Sequence, residues 1–235
     1  MSAWSLSRSK RLFDIAVAVP VLMVLAAPML LIAICIRLTS KGPAMFVQKR
    51  VGCNGRLFFI YKFRSMTVVP GGPKRLGLTK EGYCRITAVG RWLRKFKLDE
   101  LPQFYNVLRG ELSLVGPRPK LPQYEALHNM PYRPGLTGAS TLAFRNEEEI
   151  LSSVPAEEIE LFYHQRIKPL KARIDARYMK RATFWTDLGM IAATGISCLS
   201  PRSAPAISRK ALKPAAATEP GTYLDYSRES YETTS

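Results

Sequence analysis

Two adjacent carboxylates, Asp99 and Glu100, end the most basic stretch of the chain, in the segment KLDELPQFYNVLRG. An ionised aspartate is a competent nucleophile toward phosphorus, and a neighbouring carboxylate can hold a hard cation such as Mg²⁺ through oxygen. The same residues also read as a plain helix start, with Asp as N-cap, Glu in the first turn and Pro102 tolerated there. The two readings are compatible. The positive end of a helix dipole favours an ionised carboxylate by about 0.3–1 kcal/mol, and nearby cations act the same way. Downstream, GELSLVGPRPK sets Arg118 between Pro117 and Pro119, which fix the backbone around it. A preorganised guanidinium suits two oxygens of a phosphate at once. MPYRPGLTG repeats the device with Arg133 before Pro134 and Gly135.

The charge of the whole chain points the same way. The 235 residues carry 35 Lys and Arg against 18 Asp and Glu, a net +17. It is unevenly placed: up to Leu98 there are 18 basic and two acidic residues, and from Asp99 onward 17 and 16. A basic half faces anions, whether lipid headgroups, phosphorylated substrates or nucleic acid. Other chemistries have little material. The four cysteines (Cys35, Cys53, Cys84, Cys198) form no C-x-x-C pair, which argues against a zinc ribbon or a disulfide scaffold. With only His128 and His164, neither a histidine-rich metal site nor a serine–histidine triad is expected.

These groups need elements to position them. Ile15 to Ile36 is apolar for 22 residues, long enough at about 1.5 Å per residue to span a bilayer core. A simple span is one reading. Pro20 and Pro28 kink such a helix, however, and both flanks are basic, with Arg8, Lys10 and Arg11 before it and Arg37, Lys41, Lys49 and Arg50 after it. Cytoplasmic flanks attract Lys and Arg, so a helix broken near Pro28 that enters one leaflet and returns is the other reading. Trp4 would then lie at the headgroup level. No signal-peptide cleavage pattern follows.

Past Gly42-Pro43, alternating apolar and basic residues predict two strands, Met45 to Val51 and Leu57 to Phe63, turning at Asn54-Gly55. Residues 69–84 form a Gly/Pro/Lys-rich loop. Val89, Trp92, Leu93 and Phe96 at helical spacing, with Arg91, Arg94, Lys95 and Lys97 between them, predict a basic amphipathic helix over 86–98. A short helix from Leu101 to Leu108 ends at Gly110. Segment 156–180 is amphipathic and 184–199 apolar; beyond Ser200 the Ser/Pro/Ala/Thr-rich composition predicts a disordered tail. Tyr223, Tyr226 and Tyr231 lie in that tail, as a plain terminus or a phosphorylation site.

Taken in order, KRLFD (10–14), the proline-broken apolar segment, YKFRSM (61–66), LDELPQFYNVLRGELSLVGPRP (98–119) and RPGLTG (133–138) resemble the bacterial sugar transferases, monotopic phosphoglycosyl transferases. The resemblance covers roughly residues 8–195. It implies an α+β, mostly helical fold: a re-entrant membrane helix hairpin over residues 1–40, broken at Pro28, then a compact catalytic domain over 41–199 with a small β-hairpin and interfacial amphipathic helices. The tail is 200–235. It implies transfer of a sugar 1-phosphate from a UDP-sugar to a polyprenyl (undecaprenyl) phosphate with release of UMP, the initiating step of exopolysaccharide, capsule or O-antigen assembly. Asp99 would attack the β-phosphate and carry a covalent phosphosugar, with Glu100 in the site and Mg²⁺ held by the pair.

By the same resemblance Arg118 binds substrate phosphate, as do Lys62, Arg64 and Arg133, and the catalytic domain lies on the cytoplasmic face of a bacterial inner membrane. Nucleic acid is not an expected partner. Two positions depart from the family pattern: Ala27 stands where a serine often precedes the helix-breaking proline, and Ala139 where tryptophan often follows the RPG-x-TG loop. The chain shows no N-terminal membrane bundle like that of longer members, which reads as a catalytic-domain-only form. A non-catalytic basic protein of a membrane surface or nucleic acid would also account for the cationic half.

Overall fold

The computed structural model describes residues 2–67, 86–122, 130–155 and 157–199; the loop at 69–84, Cys84, His128 and the tail from 200 lie outside them. Within these limits the chain is mostly helical with two small sheets. A short helix α1 (Ala3–Leu6) leads into α2 (Arg8–Thr39), which Ser7 caps by accepting from the Lys10 amide at 3.0 Å. Pro20 and Pro28 both lie inside α2, and helix continues through them. The helix expected to break at Pro28 therefore runs on through it. Each proline removes one hydrogen bond without ending a helix this long and apolar. Among the described residues α2 is the one helix long and apolar enough to cross a membrane.

Both ends of α2 are fastened to the rest of the chain. Near its start, Arg11 donates to the carbonyls of Val107 (2.6 Å) and Leu108 (2.8 Å), and Asp14 accepts from the Leu114 amide and the Ser113 hydroxyl, both at 3.1 Å. Lys10 pairs with the fully buried Asp187, which also accepts from Tyr178 and, at 3.0 Å, from the Trp4 indole. Near its end, Ile36 packs with Phe63 and Leu93. Between the grips Met23 and Val24 stand exposed, as do Leu30 and Leu31 on the outer side of the second grip.

Strands β1 (Met45–Val51) and β2 (Leu57–Phe63) form the expected antiparallel hairpin, with Asn54 at φ 54° in its turn. Helix α3 (Ala88–Lys95) packs against the preceding segment at Gly90, where a Cβ would sit 2.0 Å from the Ser65 carbonyl oxygen. A 3₁₀ turn (Leu98–Glu100) then enters α4 (Gln103–Arg109), which ends on Gly110 at φ 79°. Strands β3 (Ser113–Val115) and β4 (Gly135–Thr137) pair in parallel, a sheet the sequence pattern does not announce because each strand is three residues long. Helices α5 (Ala139–Ala143), α6 (Glu147–Ser152) and α7 (Ile159–Phe162) follow. A π-turn (Tyr163–Ile167), α8 (Lys168–Arg181) and α9 (Phe184–Leu199) complete the described chain.

Three apolar clusters hold this together. The largest joins Ala18 of α2, Phe58 and Ile60 of β2, Val107 of α4, Leu114 and Val115 of β3 and Met179 of α8. A second, around Phe144, Ile150, Ile159 and Ile167, belongs to α5–α8. In the third, Leu98 and Leu101 pack against the group of Ile36, Phe63 and Leu93. Those two leucines flank Asp99 and Glu100, so apolar burial on either side fixes the turn that carries the carboxylates.

Candidate active site

The turn before the pair is set by Lys97, whose φ of 56° places a non-glycine residue in the left-handed region. Such a conformation costs free energy and is kept where the surroundings enforce it. Asp99 lies inside the 3₁₀ turn, and α4 begins beyond Pro102 with no side-chain cap. The expected role of Asp99 as N-cap is thus not realised. The two carboxylates instead have opposite environments.

Glu100 accepts from Lys62 at 2.8 Å and from Arg118. Burial pushes its carboxyl up, but Arg118 and Lys62 outweigh that and hold it far below the usual carboxylate range. Asp99 is 7% exposed, and its Oδ1 has no hydrogen-bond partner. Burial, then the Glu100 charge, raise its carboxyl above the ordinary value despite Lys62, Lys97 and Arg94. This reverses the direction expected from a helix start among cations, because desolvation and a like charge next door exceed the cationic field. One carboxylate is locked in ion pairs and the other is left without a partner for one oxygen. That division suits a reactive group beside a structural one.

The cations are positioned from several elements. Lys62 stands on the inner face of β2, whose edge is held to α4 by the fully buried Asn106. Its amide accepts from the Tyr61 N–H (3.2 Å) and donates to the carbonyl of Phe59 (2.7 Å) and to Glu111 (2.6 Å). Arg118 is fixed by its prolines: the Pro117 carbonyl accepts from Gly135, and that of Pro119 from Arg50. Burial and the Glu100 charge act in opposite directions on Lys62, and burial prevails, lowering it. Asn106 and Arg50 were not identified as site-forming from sequence. Arg50 was legible in the strand alternation, since residues 46, 48 and 50 share a face with their partners 62, 60 and 58.

Two predicted phosphate ligands stand elsewhere. Arg64 is buried and donates to the Ser40 carbonyl (2.7 Å), the Ser40 hydroxyl (2.8 Å) and the Lys41 carbonyl (2.8 Å), closing the end of α2. Arg133 donates to the Gly110 carbonyl at 2.8 Å, at the opposite end of α4 from the carboxylates. Both satisfy carbonyls left open by a helix terminus. Of the residues expected in the site, the structure brings together Asp99, Glu100, Lys62 and Arg118.

For a hard cation, the pair offers oxygen ligands, and the unpartnered Oδ1 of Asp99 is a buried oxygen with unused acceptor capacity. Among the described residues no cluster of three or more His, Cys, Asp or Glu could hold a metal. Two carboxylates with substrate phosphate oxygens are nevertheless a normal shell for Mg²⁺, so the residues present fit it.

A carboxylate pair among fixed cations is thus carried by a body with one long apolar helix. The family model described as bacterial sugar transferase matches residues 5–201, and the chain belongs to this family. It is 34% identical over 208 residues to an undecaprenyl-phosphate glucose phosphotransferase of Komagataeibacter xylinus, covering 83% of this chain and 36% of the relative. It is 39% identical over 204 residues to the UDP-glucose:undecaprenyl-phosphate glucose-1-phosphate transferase of Caulobacter vibrioides, covering 81% of this chain and 70% of the relative. To a UDP-N-acetylgalactosamine-undecaprenyl-phosphate N-acetylgalactosaminephosphotransferase of Aeromonas hydrophila it is 42% identical over 142 residues, 55% of this chain and 32% of the relative. The chain spans well under half the length of the first and third of these relatives.

Proposed function

We propose that the protein is a phosphoglycosyl transferase that moves a sugar 1-phosphate from a UDP-sugar to a polyprenyl phosphate and releases UMP, as an initiating step of polysaccharide assembly. The names of its relatives supply donor and acceptor. The observation that carries the mechanism is the asymmetry of the pair: Glu100 holds both Lys62 and Arg118 on its Oε1, while Asp99 is buried with an unpartnered oxygen. In the first step an Asp99 carboxylate oxygen bonds to the β-phosphorus. The bond from that phosphorus to the bridging oxygen breaks, and the electron pair leaves on UMP. In the second, an oxygen of the lipid phosphate attacks the same phosphorus and Asp99 departs ionised. Neither step requires a proton.

The residues divide the work. Lys62 and Arg118, oriented by Glu100, neutralise the donor phosphates, which in a partly desolvated site is worth far more than in water. Mg²⁺ bound by Asp99 and Glu100 would supply further neutralisation of phosphate charge. Glu100 orients the cations rather than attacking, because its Oε1 is bonded to both Lys62 and Arg118.

The apolar helix fits a re-entrant anchor. Contacts to one body hold α2 through Ala18 at one end and from Met29 onward at the other. About ten residues, 19–28, are left between the grips, roughly 15 Å of helix against a hydrocarbon core of about 30 Å. That is too short to cross. Bent at its prolines, it dips about 7 Å into the near leaflet and returns, with both ends on the cytoplasmic side of the bacterial inner membrane. The acceptor's lipid tail resists leaving the bilayer by about 0.8 kcal/mol per CH₂, so the site must come to the headgroups.

The test is exchange of labelled UMP into a UDP-sugar by purified protein, across a panel of UDP-sugars. The wild type exchanges UMP with at least one donor, and Asp99→Asn loses the exchange. Release of UDP in place of UMP would mean transfer of the sugar alone.

A further inference from the structure

We propose that Arg50 is the residue that binds the phosphate of the departing nucleotide. The inference rests on the phosphoglycosyl transfer proposed above and adds a residue that the reading did not contain. Arg50 shares the inner face of the hairpin with Gln48, Phe58, Ile60 and Lys62. That face buries Phe58 and Ile60 in the core and carries Arg50 at one end and Lys62, bonded to Glu100, at the other.

The end of β1 is stitched to the segment that carries Arg118. The Arg50 guanidinium donates to the Pro119 carbonyl at 3.1 Å, and the Val51 amide donates to the Lys120 carbonyl at 3.0 Å. Arg50 therefore lies beside Arg118 on a neighbouring run of backbone. Its remaining hydrogen bond goes to the Gln48 side chain at 2.6 Å, and its Nε has no partner.

What separates Arg50 from the other cations is the chemistry of these acceptors. Lys62 and Arg118 are each bonded to the carboxylate of Glu100, whereas the hydrogen-bond partners of Arg50 are a neutral carbonyl and a neutral amide. A partly buried guanidinium without a bonded carboxylate, next to a second guanidinium, is unfavourable in the free protein. Burial, then Arg118, pull it down to about 10. An anion arriving there relieves that cost, and charge repulsion between two arginines becomes attraction for a phosphate between them.

The reaction supplies such an anion. When the Asp99 oxygen bonds to the β-phosphorus, the bridging oxygen leaves on UMP, whose phosphate gains one negative charge. Lys62 and Arg118 are tied to Glu100 beside the nucleophile, while Arg50 is the cation of this face that Glu100 does not bind. It is placed to take the charge that develops on the leaving side.

The experiment compares UMP and uridine as inhibitors of UMP release in wild type, Arg50→Ala and Arg50→Lys, with thermal melting of each. In Arg50→Ala the inhibition constant for UMP rises about 10- to 100-fold, the range of a hydrogen bond to a charged group, while that for uridine moves less than about twofold. Arg50→Lys keeps a charge but not the planar fork and falls between. Equal weakening of UMP and uridine would assign Arg50 a structural role and overturn the inference, as would an unchanged constant for UMP. A wild type that releases UDP, or binds UMP no better than uridine, would instead overturn the underlying reaction.

Discussion

At the residue scale, the pair Asp99-Glu100 shows how two identical functional groups acquire different tasks from their neighbours. The folded protein raises the Asp99 carboxyl, so its charge opposes folding above that raised value and not at acid pH, where the group is protonated in both states. Replacing it with Asn removes that penalty. Asp99→Asn is therefore expected to abolish UMP exchange while leaving the melting temperature unchanged or higher near neutral pH, checked by calorimetry beside the activity assay. The first half-reaction needs the ionised form, so its rate falls as pH drops through the raised Asp99 value, at a pH above the ordinary carboxylate range of about 4. Glu100→Gln removes the neighbouring charge that helps raise Asp99. The acid limb of its residual activity moves to lower pH, read from a pH–rate profile. The pair itself was legible in the sequence, but the direction of the Asp99 shift was not. A sequence displays charges and conceals desolvation, and here desolvation is the larger of the two.

At the element scale, the hairpin and helices α3, α4 and α9 follow from alternation, helical spacing and breaks at Asn54-Gly55 and Gly110. The pairing of β3 with β4 does not, because three-residue strands separated by residues 116–134 leave no periodicity to read. Arginines that close helix ends were equally hidden. Arg64 and Arg133 look like phosphate ligands in a basic chain, and only the fold reveals the carbonyls they satisfy. Arg64→Ala is expected to destabilise the protein by about 2–4 kcal/mol, since it leaves the buried end of α2 with unpaired carbonyls. The Michaelis constant for the UDP-sugar stays within about twofold, because the protein still folded retains Lys62 and Arg118. A large rise in that constant with normal stability would return Arg64 to the phosphate site. Asn106→Ala removes the clamp between β2 and α4 and takes a partner from three partly buried groups, for a loss of about 1–3 kcal/mol in chemical denaturation.

At the scale of the whole molecule, the motif KRLFD acquires a physical meaning. Lys10 reaches Asp187, Arg11 closes α4, and Asp14 holds β3, so one turn of the long apolar helix fastens three elements of the body that carries the site. The far end of the same helix is held by Arg64 and by packing on Phe63 and Leu93. Gripped at both ends by one body, α2 leaves its apolar middle exposed, with basic residues flanking it on both sides. Single cysteines at Ser9 and Lys41, in a protein otherwise lacking cysteine, are expected to react with an impermeant maleimide from the same side of sealed membrane vesicles. Labelling from opposite sides would establish a span and displace the re-entrant anchor.

The central claim is that Asp99 carries the phosphosugar. The most direct measurement is mass spectrometry of wild-type protein incubated with its UDP-sugar donor in the absence of lipid acceptor, digested and mapped at acid pH. The account predicts a sugar-phosphate adduct on the peptide containing Asp99, lost when polyprenyl phosphate is added. Continuous UMP release to lipid acceptor with no adduct at any time, or an adduct on another residue, would contradict it.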